Sequence, residues 1–170
     1  METINVWTDG SCINNGNLGA VCGIGIFYSE LNNKNVSMCL PTGRQTNNRA
    51  ELCAIMYVLC TNQGSKNITI YTDSKYSIDC ITIYSHKWER DGYITSKGTP
   101  VEWSNIHKYI RTLIASRTEK GAITSLVHVR AHTDNINNNI ADSLAKAGAV
   151  MVHKSNTMRF LEEVCKVPFS

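Results

Sequence analysis

Four acidic residues lie where they could act together on a metal ion. Asp9 is expected at the end of the first strand and Asp73 at the end of the fourth, whereas Glu51 and Asp142 are expected in the first turns of two helices. In an open α/β sheet, the carboxyl ends of the strands and the neighbouring helix N-termini line the crevice in which sites form. If the first and fourth strands are neighbours, Asp9 and Asp73 face each other across that crevice.

A cluster of carboxylates in one crevice needs a compensating charge. Taken one at a time, each acid is explained better as a helix cap or as a partner of a helix dipole. Taken together, two unit charges about 4 Å apart repel each other by roughly 4 kcal/mol at an effective dielectric of about 20. Such a cluster would be partly protonated or would hold a cation, and an all-oxygen site suits hard divalent ions such as Mg²⁺ or Mn²⁺.

Hydrophobic periodicity predicts the elements that must position these acids. Three strands form an antiparallel meander, and they are followed by helix, strand, helix, a protruding handle, helix, strand and helix. Strands are predicted at 3–9, 19–30, 35–41, 67–73 and 122–129. Helices are predicted from an N-cap at Asn47 to a stop at Gly64, at 74–84, from a capping box with a proline at 99–102, and at 139–148, with the handle at about 85–100.

The chain is expected to form one main domain. It has 170 residues, 42% of them hydrophobic and 18% charged, and a single core serves up to roughly 250 residues. We predict a main domain at 1–149 and an extension at 150–170 that forms a short amphipathic helix packed on the same domain. The formal charge of +3 is consistent with a polyanionic partner but does not demonstrate one.

The sequence favours an intracellular protein, cytoplasmic or nuclear, without a membrane segment. Its longest weakly polar run, at 18–28, is far shorter than the roughly 20 residues that cross a bilayer, and glycines interrupt it. The N-terminus lacks the basic segment and apolar core of a secretion signal. The seven cysteines include no CxxC pair, so we expect reduced packing residues rather than disulfides or zinc ligands.

Four short blocks carry a resemblance that is more specific than any single motif. They are TDGS at 8–11, RQTNNRAEL at 44–52, YTDSKY at 71–76 and HVRAHTDNINNNIADSLA at 128–145. In this order and at these intervals they resemble the signature blocks of type 1 ribonuclease H, over about residues 4 to 149. The resemblance implies a ribonuclease H catalytic domain at 1–149. It also implies an α/β fold with a mixed five-stranded sheet, three antiparallel strands and then two parallel ones, and helices on both faces.

The resemblance also implies an activity and a set of site residues. The activity is hydrolysis of the RNA strand of RNA/DNA hybrids, which leaves 3′-hydroxyl and 5′-phosphate ends. Asp9, Glu51, Asp73 and Asp142 match the acids that bind two Mg²⁺ ions, with Mn²⁺ as a substitute. His132 matches a histidine on a mobile loop that assists proton movement or product release, although on its own it would be an ordinary loop histidine.

Further matches concern the RNA/DNA hybrid that is the expected partner. Asn15, Asn47 and Asn48 match positions that line the minor groove, where amides can donate and accept hydrogen bonds, although turn and cap roles also explain the first two. Arg44 and Thr46 match part of a pocket for a phosphate of the DNA strand. A third member of that pocket, usually an asparagine, aligns with Trp103, which has a single donor and departs from the pattern.

Three more residues align with a channel that grips the DNA strand: Tyr76, Trp88 and Ser96. Aromatic faces there could pack on deoxyribose and exclude a 2′-hydroxyl, while core packing is the competing explanation for Tyr76. The handle carries three basic residues offset by two acids from 86 to 97. We therefore expect hybrid binding that is weaker and less dependent on salt than in a strongly basic relative.

Two other functions remain open at this point. The first is a non-catalytic hybrid-binding module, which the four acids and the histidine disfavour. The second is a DNA nuclease of the same fold, such as a resolvase or integrase core, which would lack the YTDSKY block followed by an aromatic handle. A monomer is expected, and the sequence does not identify protein partners.

Overall fold

A five-stranded mixed sheet forms the centre of the molecule. The computed structural model describes residues 2–30, 32–40, 43–131 and 134–151. The strands are β1 (Thr3–Ile13), β2 (Val21–Phe27), β3 (Val36–Cys39), β4 (Asn67–Thr72) and β5 (Thr124–His128). They lie in the order β3-β2-β1-β4-β5, with β1, β2 and β3 antiparallel and with β4 and β5 parallel to β1. This topology confirms the predicted fold class.

Helices cover both faces of this sheet. They are α1 (Asn47–Thr61), α2 (Lys75–Asp79), a π-helical segment (Cys80–Tyr84), α3 (Ser85–Arg90), α4 (Ser104–Glu119) and α5 (Ile136–Ala149). On β2, Ile24 and Ile26 belong to the core cluster that includes α1, whereas the alternating Gly23 and Gly25 lie against α5. Because alternate residues of a strand point to opposite faces, α1 and α5 lie on opposite faces of the sheet.

Helix α5 lies unusually close to β2. A Cβ atom added at Gly25 would collide with the Ala141 carbonyl oxygen, and one added at Gly23 with the Ala145 carbonyl oxygen and the Ala149 nitrogen. Small residues on both elements therefore let the two backbones come into contact. This close contact brings Asp142, the residue after Ala141, next to the centre of the sheet.

Helix α1 is buried along most of its length. Every residue from Arg49 to Leu59 is buried, and the core cluster joins this helix to both the sheet and α4. A helix that packs on two sides has no wide polar stripe. The charged residues Arg49 and Glu51 at its first turns are therefore buried with the rest, which matters for the site described below.

The predicted start of α4 is wrong. The capping box at 99–102 was expected to open this helix, but the helix begins at Ser104. The Thr95 and Thr99 hydroxyls share a hydrogen bond of 2.8 Å, and Pro100 lies in a bridge with Ile94. These contacts hold Thr99 and Pro100 in a turn. Trp103, with a left-handed φ of 59°, is the residue from which the helix begins.

Two smaller differences concern helix ends. The N-cap of α1 is Thr46 and not Asn47, since the Thr46 hydroxyl accepts a hydrogen bond of 3.2 Å from the Arg49 backbone nitrogen. The helix predicted at 74–84 continues as α3 to Arg90, through the π-helical segment. The first part of the predicted handle is thus helical.

The cysteine prediction is wrong for one pair. Cys12 on β1 and Cys22 on β2 form a disulfide. The antiparallel register places these residues directly opposite each other, a relationship that spacing along the chain does not reveal. Cys39, Cys53, Cys60 and Cys80 are reduced, as predicted.

Two other predictions concern membrane segments and the C-terminal extension. None of the helices within the described ranges is long and apolar enough to cross a membrane. The predicted extension at 150–170 lies outside the described residues except for its first two positions.

Candidate active site

Asp9 and Asp73 lie side by side on neighbouring parallel strands. Trp7 of β1 is in register with Tyr71 of β4, so the residues two positions further along, Asp9 and Asp73, correspond to each other. Asp9 does not end its strand as predicted, because β1 continues to Ile13 in its pairing with β2. Asp73 follows the last residue of β4, as expected.

Glu51 reaches the same place from α1. A Cβ atom added at Gly10 would lie 2.6 Å from the Glu51 backbone nitrogen, so only glycine lets the start of α1 contact β1 here. One carboxylate oxygen from each of Asp9, Glu51 and Asp73 lies within 4.8 Å of the other two. Three acids that are far apart in the sequence therefore form one cluster.

The electrostatics of this cluster are unfavourable without a cation. Asp9 is only 4% exposed, and burial, followed by the charge of Asp73, raises its pKa to about 7. Glu51 is 7% exposed, and burial, followed by the charge of Asp9, raises its pKa well above the ordinary value. Among the described residues, Glu51 Oε2 is buried and has no hydrogen-bond partner. The cluster carries more negative charge than its surroundings compensate.

Asp142 lies in the same cleft, on the second turn of α5. The cleft has a volume of about 230 Å³ and is lined by Asp9, Gly10, Asn47, Asn48, Glu51, Asp73, Ser74, Asn138, Asn139 and Asp142. Asp142 Oδ2 accepts a hydrogen bond of 2.6 Å from Lys146 Nζ, one turn further along α5. We refer to Asp9, Glu51, Asp73 and Asp142 as the four cleft acids.

The donor set of the cleft fits a hard divalent cation. Its charged groups are carboxylates, one of their oxygens is buried without a partner, and two of the acids have raised pKa values. Oxygen ligands of this kind suit Mg²⁺ or Mn²⁺. The arrangement could bind such ions next to a phosphodiester and supply charge for its hydrolysis.

The predicted asparagines border this cleft. Asn47 and Asn48 are exposed and line it directly. Asn15 is exposed on a neighbouring loop, where its side-chain oxygen accepts a hydrogen bond of 2.9 Å from the Asn47 backbone nitrogen. Asn15 thus has the structural role that was considered for it, and it lies beside the other two asparagines.

The residues of the predicted phosphate pocket lie at the N-terminus of α1. Arg44 is exposed, and its Nη1 donates a hydrogen bond of 2.6 Å to Glu102 Oε1. The guanidinium groups of Arg44 and Arg49 lie 5.8 Å and 5.9 Å from the ring centre of Trp103. The Thr46 hydroxyl caps α1. Trp103 thus lies where the family usually has an asparagine, and its ring contacts two guanidinium groups.

Two of the three residues predicted for the DNA-strand channel, Tyr76 and Trp88, line a separate groove of about 460 Å³. It is lined by Tyr76, Asp79, Cys80, Tyr84, Trp88, Thr95, Val101 and Glu102. Tyr76 and Trp88 are partly buried and face this groove, and burial raises the pKa of Tyr76. Ser96 is exposed, and its neighbour Thr95 lines the groove in its place.

Comparison with known families agrees with this geometry. The profile of the RNase H family matches residues 1–150, nearly the whole chain. The chain belongs to the RNase H family. The match spans both the β1 position of Asp9 and the α5 position of Asp142, so the whole cleft lies within the RNase H region.

The alignments with individual relatives cover different shares of those proteins. Ribonuclease H of Schizosaccharomyces pombe is 38% identical over 144 residues, which are 85% of this chain and 52% of that protein. Ribonuclease HI of Haemophilus ducreyi is 32% identical over 149 residues, 88% of this chain and 92% of that protein. The chain spans about half the length of the first curated relatives that it matches.

A solved structure supports the RNase H fold. The foamy viral protease-reverse transcriptase in complex with RNA/DNA hybrid superposes with a TM-score of 0.73 at 24% identity. The superposition covers 87% of this chain and 20% of the viral chain. At this identity the likeness concerns the fold alone.

Two residues close to the four cleft acids were not predicted from the sequence. Asn138 is 2% exposed, lines the cleft, and has a buried side-chain oxygen without a partner in the described part of the chain. Asn138 and Lys146 lie four residues before and after Asp142, so helical periodicity could have found both. His132 lies outside the described residues, and its predicted role stays a prediction.

Proposed function

We propose that this chain hydrolyses the RNA strand of RNA/DNA hybrids and leaves 3′-hydroxyl and 5′-phosphate ends. The observation that carries the proposal is the cluster of three carboxylate oxygens, from Asp9, Glu51 and Asp73, within 4.8 Å of one another in an open cleft. Family membership supports the same activity. The proposed catalytic domain is 1–149, with 150–170 as an extension.

The four cleft acids are the proposed ligands of two divalent cations. When bound, such ions supply the charge that activates a water molecule and stabilises the leaving 3′-oxygen. Because Asp9 and Glu51 have raised pKa values, their carboxyl groups hold protons that must leave when a cation binds. We propose that His132 then moves a proton or assists product release.

The surroundings of the cleft suit a hybrid as substrate. Asn47 and Asn48 present amides at the edge of the cleft, where they could donate to and accept from the 2′-hydroxyls and base edges of a minor groove. Tyr76 and Trp88 offer aromatic faces in the second groove, which could pack on the deoxyribose of the other strand. Membership of the RNase H family supports this choice of substrate.

A cleavage assay tests this proposal. A labelled RNA/DNA hybrid, an RNA duplex and a DNA duplex are each incubated with Mg²⁺, with Mn²⁺ and with chelator. We expect cleavage of the RNA strand of the hybrid alone, with either metal and not with chelator. A folded wild-type protein that is inactive with both metals would overturn the proposal, as would cleavage of the DNA duplex.

The variant Asp73→Asn sharpens the assay. Loss of one carboxylate from the cluster should abolish turnover and leave the fold intact or more stable, because repulsion in the cluster decreases. Glu119→Gln, at an exposed position at the end of α4 and outside the cleft, is the control and should retain full activity. If Asp73→Asn unfolds, Asp73 is a structural residue.

A further inference from the structure

We propose that Glu102 competes with a DNA-strand phosphate for Arg44, and so sets the affinity and the salt dependence of hybrid binding. The inference rests on the proposed function, since it concerns how the same substrate is held. It assigns a role to a residue outside the four signature blocks. Glu102 acts through Arg44 and is therefore a specificity-determining residue rather than a catalytic one.

The first observation is the ion pair itself. Arg44 Nη1 lies 2.6 Å from Glu102 Oε1, and the two side chains are 66% and 48% exposed. An ion pair this exposed is screened by solvent and contributes little to stability. Exchange of the carboxylate for another anion is therefore easy, and a phosphate oxygen can make the same charge-assisted contact.

The second observation is where the pair lies. Arg44 stands two residues before Thr46, the N-cap of the 15-residue helix α1. The N-terminus of a helix carries a partial positive charge and attracts anions. Glu102, which is 58 residues away in sequence, pairs with Arg44 beside this end of the helix.

The third observation is the packing that holds this arrangement. Trp103, next to Glu102, places its ring 5.8 Å from the Arg44 guanidinium and 5.9 Å from that of the buried Arg49. Its backbone has the left-handed φ of 59°, which is costly for a large side chain and persists only where its surroundings require it. The cation–π contacts with both arginines fix Glu102 beside Arg44.

The fourth observation links the pair to the second groove. Glu102 also lines the groove that contains Tyr76 and Trp88. A strand that runs from Arg44 into this groove must pass the Glu102 carboxylate, whose charge repels the phosphates. Neutral Gln at this position would remove both the competition at Arg44 and the repulsion in the groove.

The test measures hybrid binding by the variant Glu102→Gln, with Asp73→Asn present in every protein to prevent cleavage. We expect the Kd at low salt to decrease roughly threefold to tenfold, because Arg44 becomes free to contact a phosphate. One extra phosphate contact should steepen the slope of log K against log salt by about 0.9. In the cleavage-competent protein, KM should decrease while kcat stays unchanged.

The matched control is Glu2→Gln. Glu2 forms an ion pair of the same length, 2.6 Å, with Lys66, at the opposite end of β1 and β4 from the cleft. Its loss changes the net charge equally but should leave the Kd and the salt slope at wild-type values. Glu102→Asp keeps the carboxylate and should keep the wild-type slope.

A double-mutant cycle with Arg44→Ala completes the test. When Glu102 is present, Arg44→Ala should weaken hybrid binding less than about twofold, since Glu102 already neutralises Arg44. When Glu102 is replaced by Gln, Arg44→Ala should cancel the gain in hybrid affinity. A large loss from Arg44→Ala alone would overturn the inference, as would an unchanged Kd in a folded Glu102→Gln protein whose parent binds and cleaves hybrid. A wild-type protein that neither binds nor cleaves hybrid would overturn the proposed function and this inference together.

Discussion

Glu51 meets Asp9 because Gly10 has no side chain. The start of α1 lies directly on β1, and an added Cβ at Gly10 would be 2.6 Å from the Glu51 nitrogen and 2.8 Å from the Ala50 Cβ. This contact places two carboxyl groups in one cluster, and their burial raises the pKa of both. The metal affinity proposed for the cleft therefore depends on a glycine that supplies no ligand atom of its own.

Gly10→Ala should separate α1 from β1. Overpacking at a rigid backbone contact costs about 1–3 kcal/mol, and the displacement of Glu51 should weaken Mg²⁺ binding as well. Urea denaturation with and without Mg²⁺ measures both effects. Gly64→Ala is the control, since no atom lies within 4 Å of its added Cβ. Equal stability and equal Mg²⁺ response in both variants would contradict the prediction.

Asp9→Asn should stabilise the metal-free protein at neutral and higher pH. The pKa of Asp9 is raised from 3.8 to about 7, so the folded state holds this proton more tightly than the unfolded state. The contribution of Asp9 to the free energy of unfolding therefore decreases as pH rises from about 4 through about 7. Asparagine removes this loss, which is at most about 4 kcal/mol.

The measurement is urea denaturation in chelator from pH 4 to pH 8. The advantage of Asp9→Asn should be absent at the acidic end, where the wild-type carboxyl is protonated, and largest at pH 8. Glu30→Gln, at an exposed position, should show no such trend. Added Mg²⁺ should stabilise the wild type and reduce the difference, since the cation compensates the cluster.

Lys146→Met should increase the affinity for Mg²⁺. Lys146 Nζ lies 2.6 Å from Asp142 Oδ2. A metal ion that binds Asp142 must therefore displace this ammonium group or be repelled by its positive charge. Its removal should lower the Kd for Mg²⁺ roughly threefold to tenfold, as measured by calorimetry. Lys75→Met breaks a similar pair with Asp79, 2.7 Å long and also one helical turn apart, and should leave Mg²⁺ binding unchanged. A weaker affinity in Lys146→Met would show that Lys146 supports the site by orienting Asp142.

His107 should make the protein sensitive to acid. It is 1% exposed, and burial lowers its pKa to about 4. Among the described residues neither ring nitrogen has a hydrogen-bond partner in good geometry, although a backbone group of Glu102 lies nearby. The unfolded chain takes up this proton near pH 6.5 and the folded state only near 4, so the contribution of His107 to the free energy of unfolding falls by at most about 3 kcal/mol as pH decreases between these values.

His107→Phe tests this directly. Its ring can keep the contact with Trp88, whose ring centre lies 5.0 Å from that of His107. The stability of the variant relative to the wild type should increase as pH falls from 6.5 to 4, as followed by thermal unfolding. His86→Gln, at an exposed position, should show no such increase. A variant that keeps the wild-type pH dependence would assign the acid sensitivity to another group.

Local sequence signals predicted most of the elements and missed some of their ends. The β-branched run before Asp73 predicted β4 correctly because alternation of apolar residues is a property of the strand itself. The start of α4 was wrong because Thr99 forms a hydrogen bond with Thr95 rather than capping the helix. A capping box states a local preference, and the turn that precedes α4 overrides it.

The candidate site, too, was only partly predictable from the sequence. The identity of the four acids and the fold class followed from residue types, spacing and resemblance to a family. The contacts among them did not, because Asp9 and Glu51 are joined only through the closeness of α1 and β1 at Gly10.

The sequence by itself thus determined the order of the elements and the chemical groups available, because both depend on near neighbours in the chain. Only the tertiary structure decided which groups meet. The pairing of Arg44 with Glu102 across 58 residues, and of Cys12 with Cys22 across two strands, depends on strand register and helix packing. Such contacts depend on the whole fold, so a local sequence pattern does not predict them.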